Sequence, residues 1–230
     1  MKYKYLLSLV LLIVILQYSC VDVLESSQEG VIEYEVEYLE DEDELPIIAI
    51  LPSKMHLSFK KGFSTSKMSG FASTFGFGYL SKNNAKTSFY FYMMGQKYFF
   101  ETNSEDFAFG YIEDKNLKTD SIIEETKKIA GYLCNKAIIK LPYKDLPKAE
   151  IYYTDEIRID NSTDYHPYKS INGALMKFEI KMIGIRMRFT AKSVKFIKIE
   201  QETFEISESF KKMTKEELTK FLSDKITRKK

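Results

Sequence analysis

From Val31 to Leu39 the chain alternates, with Ile32, Tyr34, Val36 and Tyr38 on one side and Glu33, Glu35 and Glu37 on the other. A period of two puts successive side chains on opposite faces of a strand, so this stretch predicts a strand with one buried and one wet face. Met55, Leu57 and Phe59 alternate with His56, Ser58 and Lys60, and Lys61-Gly62 turns the chain back into Phe63 to Ser69, which predicts a hairpin. Further strands are expected at 87–94 and 96–102 about Gly95, at 121–127 and 137–141 about Gly131, at 150–154, and at 174–183 and 185–191 about Gly184. Beyond Ala191 the phase slips, first at Val194 and again at Ile197, which predicts bulges that bend and twist a sheet. Residues 40–44 read as an acidic loop, 45–51 as one or two helical turns or a connector, and 103–118, 142–147 and 158–167 as loops. Helical spacing is confined to the tail, where Leu218, Phe221, Leu222 and Ile226 recur on one face behind a Thr214/Glu217 capping box. The expected fold is mainly β (α+β): a curved antiparallel sheet or half-open barrel, with a C-terminal helix packed on or beside it.

Two stretches break the alternation. Phe89 to Met94 is apolar or aromatic on both faces, and Tyr98-Phe99-Phe100 repeats this. A strand apolar on both faces needs cover on both. Met68 to Ser81 contains no charge and is interrupted by Gly70, Gly76 and Gly78, so it is not expected to be regular strand throughout. Two readings stand for it, a buried bend or a flap over something apolar. Phe71, Phe75, Phe77, Phe89, Phe91, Met93, Tyr98 and Phe100 are therefore the candidate contacts for a hydrophobic ligand. The competing reading fills that face with helices and a neighbouring layer.

The front of the chain changes the picture. Lys2 and Lys4 precede an apolar run of 11 residues, Leu6 to Leu16, followed by Gln17-Tyr18-Ser19-Cys20. A membrane-spanning helix needs roughly 20 apolar residues, so this reads as a secretion leader that is removed. Leu16 and Ser19 before Cys20 resemble a bacterial lipoprotein signal. That likeness implies residues 1–19 as signal peptide and lipidation of Cys20; the short polar stretch behind it reads as a tether over 20–29, and the remaining length as a single β-rich domain over 30–230. Each buried lipid methylene contributes about 0.8 kcal/mol, so two or three acyl chains hold firmly.

Composition narrows the function. Without the leader the chain is close to neutral, which argues against a nucleic-acid partner. Charge is uneven: residues 21–53 hold 11 Asp or Glu and no Lys or Arg, and residues 211–230 hold eight basic against three acidic residues. The two cysteines are Cys20 and Cys134; with Cys20 lipidated, Cys134 is expected as a small buried apolar residue. His56 and His166 are the whole histidine complement, and no Gly-x-Ser-x-Gly or Walker-type loop occurs. The expectation is a protein that is not an enzyme and takes neither metal nor cofactor. Asn161-Ser162-Thr163 matches an N-glycosylation acceptor, and Asp120-Ser121-Ile122 resembles a bacterial O-glycosylation sequon at Ser121.

Residues 127–141 read KKIAGYLCNKAIIKL. This resembles the I-x-G-Y-x-C-x-K-A signature of Bacteroidota-type exported proteins of unknown function related to the GLPGLI family. Ile151-Tyr152-Tyr153-Thr154-Asp155, Asn172-Gly173-Ala174-Leu175-Met176 and Phe204-Glu205-Ile206 follow in the corresponding order, although the GLPGLI motif itself is missing. Such proteins are similar in shape to outer-membrane lipoprotein carrier and sorting proteins. The resemblance implies a half-barrel with an apolar concave face, an outer-membrane location facing periplasm or surface, and Cys134 as a core position. It carries over no catalytic residue. The expected partners are the membrane through the anchor, a lipid or apolar ligand, or an envelope protein.

Overall fold

The computed structural model describes residues 28–40, 46–70, 75–82, 87–102, 119–140, 148–160, 168, 171–182, 185–214, 216–217 and 220–221. The leader, Cys20, Phe71, residues 41–44 of the acidic loop and the Asn161 sequon lie outside them. Twelve strands form one sheet: β1 (Gly30–Tyr38), β2 (Lys54–Lys60), β3 (Phe63–Ser69), β4 (Phe75–Lys82), β5 (Thr87–Met93), β6 (Gln96–Thr102), β7 (Thr119–Ile129), β8 (Tyr132–Lys140), β9 (Lys148–Thr154), β10 (Ala174–Met182), β11 (Ile185–Phe196) and β12 (Lys211–Lys212). Their order across the sheet is β12-β6-β5-β4-β3-β2-β1-β11-β10-β9-β8-β7. The chain thus makes two antiparallel meanders, β1–β6 and β7–β11, joined where β1 pairs with β11, Gly30 opposite Phe196 and Tyr38 opposite Met187. β12 alone pairs in parallel, beside Tyr98 and Phe99.

The sheet is strongly curved and does not close. In a flat sheet β7 would lie about 19 Å from β11, four strand spacings away. Instead, Cα atoms of the two strands come within 8 Å of each other. Bulges supply part of the bend. Lys192 is the extra residue of β11 opposite Glu33 and Tyr34, the slip expected near Val194. A second bulge leaves Met176 of β10 unmatched by β9. The slip expected at Ile197 is simply the end of the strand.

The inner face buries the core. Ile32, Tyr34 and Val36 of β1 point inward as the alternation predicts, with Met55, Leu57 and Phe59 beside them. Phe178 and Phe189 stack at 4.9 Å, Tyr34 meets Phe178 edge-on at 5.7 Å, and the Tyr34 hydroxyl donates to the Leu175 carbonyl at 2.8 Å. The segment after β9 closes this half from within. Ile157, Tyr168 and Ile171 are buried in the same cluster, and the Asp160 carboxylate accepts from Gly62 N at the β2–β3 turn, 2.9 Å away. Residues 158–160 are thus more than the polar loop expected there. Cys134 is fully buried, and burial pushes its thiol pKa up, away from reactive thiolate chemistry.

The uncharged 68–81 stretch is not strand throughout, as expected, since β3 ends at Ser69 and β4 begins at Phe75, but Gly76 and Gly78 lie inside β4 rather than breaking it. One expectation changes. The C-terminal helix is not among the described elements: Thr214 and Glu217 do exchange the two capping-box hydrogen bonds, at 2.8 and 3.1 Å, but Leu218, Leu222 and Ile226 lie outside the described residues. Residues 46–50 form a 3-10 turn.

The β5–β6 and β7–β8 hairpins turn on Met94-Gly95 and Ala130-Gly131, all four residues with positive φ. Such two-residue turns match the twist of the paired strands and favour Asn-Gly. Met94, with φ 49° and 88% exposed, places a β-carbon in the left-handed region while burying little. Met94→Asn is expected to stabilise the protein by roughly 0.5–1 kcal/mol, seen as a higher urea midpoint at unchanged slope. A lower midpoint would mean the Met94 side chain makes contacts worth more than the backbone relief.

Candidate functional site

The register of β3–β6 decides where the candidate residues point. Met68, Phe77, Phe91 and Tyr98 stand opposite one another across the four strands. Two residues along lie Ser66, Tyr79, Phe89 and Phe100, and on the other side Phe75, Met93 and Gln96. All seven described candidates, Phe75, Phe77, Phe89, Phe91, Met93, Tyr98 and Phe100, therefore share the inner face. Their rings touch: Phe91 lies 5.4 Å from Tyr98, Phe89 stacks on Phe100 at 5.3 Å, and Phe75 meets Phe77 at 5.9 Å. Phe91 and Phe100 are 6% and 2% exposed; the other five are half-buried. The tail reaches this surface, with the Phe221 ring 5.5 Å from Phe91 and 5.6 Å from Tyr98.

The outer face of the same strands explains the second set of aromatics. Tyr90 stands directly opposite Gly78, and Tyr92 opposite Gly76. Each ring lies across its glycine and reaches the strand beyond: Tyr90 donates to the Ser66 carbonyl at 2.8 Å, and Tyr92 bonds Ser69 Oγ at 2.9 Å. A β-carbon at Gly78 would overlap the Ser66 carbonyl and stand 2.6 Å from Tyr90 Oη. The glycines make room for rings, and the rings cover bare backbone. Phe210 adds an edge-on contact to Tyr90 at 5.8 Å. On this side the cover that a doubly apolar strand demands is the protein itself.

The outer face of the other half is a ladder of opposite charges. Glu33 pairs with Lys54 at 3.0 Å, Glu35 with Lys192 at 2.6 Å, and Arg188 joins Glu37 and Glu179 at 2.9 and 2.6 Å. The hydrogen bond and charge of Lys54 hold the Glu33 carboxyl below its ordinary range. Lys136 bridges Glu125 and Glu150, and those hydrogen bonds raise its pKa. The hydrogen bond from Lys136 likewise holds the Glu125 carboxyl below its ordinary range, the opposite of what a general acid needs. His56 faces Glu33 across 3.4 Å on this outer side, and His166 lies outside the described residues. Among the described residues no three His, Cys, Asp or Glu side chains converge to hold a metal ion. Ser121 falls in β7, opposite Ile138.

No family model matches the chain, nor does any curated protein. Among solved structures it is similar to PNGF-II, at 14% identity and a TM-score of 0.52, over 87% of this chain and 34% of that one. The chain spans about a third of that protein's length, and the likeness shows a shared fold. Distant neighbours are an uncharacterized conserved protein from Thermus thermophilus (8% identity, TM-score 0.43, 85% of this chain and 94% of that one) and an outer membrane lipoprotein-sorting protein domain from Vibrio parahaemolyticus (9%, 0.34, 77% and 89%).

Gly78→Ala should cost about 1–3 kcal/mol through overpacking against Tyr90 and Ser66, and Gly78→Ala with Tyr90→Ala should recover part of that loss; a neutral single variant would refute the ring-over-glycine arrangement. Burial holds the Tyr90 phenol proton up to about 12, and those of Tyr34 and Tyr38 higher still. A free phenol titrates near 10. The unfolded chain then loses these protons first, so stability is intact below about pH 10 and falls between about 10 and 12. Phenolate absorbance should show these tyrosines silent until unfolding; full titration near pH 10 in the folded protein would contradict it.

Proposed function

We propose that the protein is a cell-envelope lipoprotein, anchored through lipidated Cys20 in the outer membrane, whose domain holds a lipid or other hydrophobic ligand on the inner face of β4–β6 without catalysis. The observation that carries this reading is the shared inner face of Phe75, Phe77, Phe89, Phe91, Met93, Tyr98 and Phe100, five of them half-buried. Binding by apolar burial yields about 25 cal/mol for each Å² removed from water, and aromatic walls with few polar groups are the usual make-up of such sites. The other half of the inner face is packed by Ile157, Tyr168 and Ile171, which supports seating the ligand at β4–β6 instead.

A second reading draws on the Phe221 ring, which rests on Phe91 and Tyr98. If the tail completes the packing, the protein is a structural or adaptor lipoprotein that binds an envelope protein and no small ligand. Native mass spectrometry of the cell-processed protein, purified without detergent, separates the two. The ligand reading expects a stoichiometric lipid that is lost in a folded Phe77→Asp variant. A bare mass, with no uptake when lipids are offered, would eliminate it and leave the adaptor.

A further inference from the structure

The inner face of β3–β6 carries no charged residue at any position, and its polarity changes along the strands. Past the Phe89–Phe100 row the next inner positions are Ser64, directly opposite Ser81, and Thr87. The pairing of Leu80 with Ser88 sets Ser81 beside Thr87. Three neighbouring strands thus present a row of hydroxyl residues, and all three are buried. At the opposite end stand Phe75 and Met93. From Ser81 to Phe75 along β4 is about 20 Å.

Ser64 marks the row as more than a polar patch. It is 0% exposed, and its Oγ has no hydrogen-bond partner, the one such buried side-chain atom among the described residues. An unpaired buried hydroxyl destabilises the protein that carries it. It can both donate and accept, and it would be satisfied by a ligand group arriving at that end.

We propose that the inner face of β3–β6 takes a single-chain amphiphile in one orientation, an uncharged hydroxyl- or ester-bearing head on the Ser64–Ser81–Thr87 row and its chain along the aromatic rows toward Phe75 and Met93. This rests on the ligand reading above and adds the ligand's class and direction. Among the described residues the inner face offers no cation to a carboxylate or phosphate head, which would be buried there at a high desolvation cost. A glycerol ester or long-chain alcohol meets no such penalty and brings the hydrogen-bonding partner that Ser64 lacks.

The test compares four probes of one chain length on the cell-processed protein: 1-monooleoylglycerol, oleate at pH 8, oleoyl-lysophosphatidylcholine and octadecene. Monooleoylglycerol should bind most tightly. Ser64→Ala should weaken it about tenfold, leave octadecene unchanged, and raise the Tm of the ligand-free protein, because the hydroxyl removed had no partner. That pairing of weaker binding with higher stability separates a head contact from a packing role. Equal or tighter binding of oleate or the lysolipid, or monooleoylglycerol affinity unmoved by Ser64→Ala, would overturn the assignment while leaving apolar binding in place. Failure of all four probes, octadecene included, would remove the ligand reading and this one with it.

Discussion

Everything in this molecule hangs on β1 having two partners. It pairs with β2, which follows it in the chain, and with β11, which lies near the far end. Its inner side chains, Ile32, Tyr34 and Val36, are consequently central to the core. Tyr34 alone ties two distant elements together, through its ring against Phe178 and its hydroxyl on Leu175. Without the β1–β11 ladder the two meanders would be separate sheets with nothing to curl around. Apolar burial on the inner face drives that curl. The ion pairs outside are largely exposed, and such pairs contribute about 0–1 kcal/mol each; they keep the outer face soluble.

The inner face of the sheet has two differently lined halves. The β7–β11 side is closed by Ile157, Tyr168 and Ile171, and the structure is solid there. The β3–β6 side is lined by rings and hydroxyls, with Phe221 set against its outermost rings. One half is filled by its own chain, and in the other the tail and a ligand would compete for the same rings.

Much of the strand order was legible because alternation reports directly which face is wet. Glu33, Glu35 and Glu37 against Ile32, Tyr34 and Val36 leave little choice, and Gly62, Gly95 and Gly131 mark hairpin turns. The parity of Phe75, Phe77, Phe89, Phe91 and Met93 also put them on one side of their strands. Three things were not legible, each because it depends on contacts distant in sequence. Gly76 and Gly78 look like strand breakers until Tyr92 and Tyr90 are seen lying across them from the next strand. Ile157 and Tyr168 sit in a stretch whose polar neighbours hide their burial. The hydroxyl row exists only in the register, since Ser64, Ser81 and Thr87 share no local motif.

The central place of the first strand bears on how the protein reaches its native state. A growing chain delivers β1 early and β2 soon after, so one side of β1 is paired almost at once. The other side stays open until β11 has been made, nearly the whole domain later. Such long-range pairing is slow, and an open strand edge is an invitation to foreign chains during the wait. The glutamates that alternate along β1 crowd that unfinished edge with like charge, and Arg188 and Lys192 of β11 are the residues that later neutralise it. In the nascent chain, the acidic stripe is a guard that only its proper partner relieves.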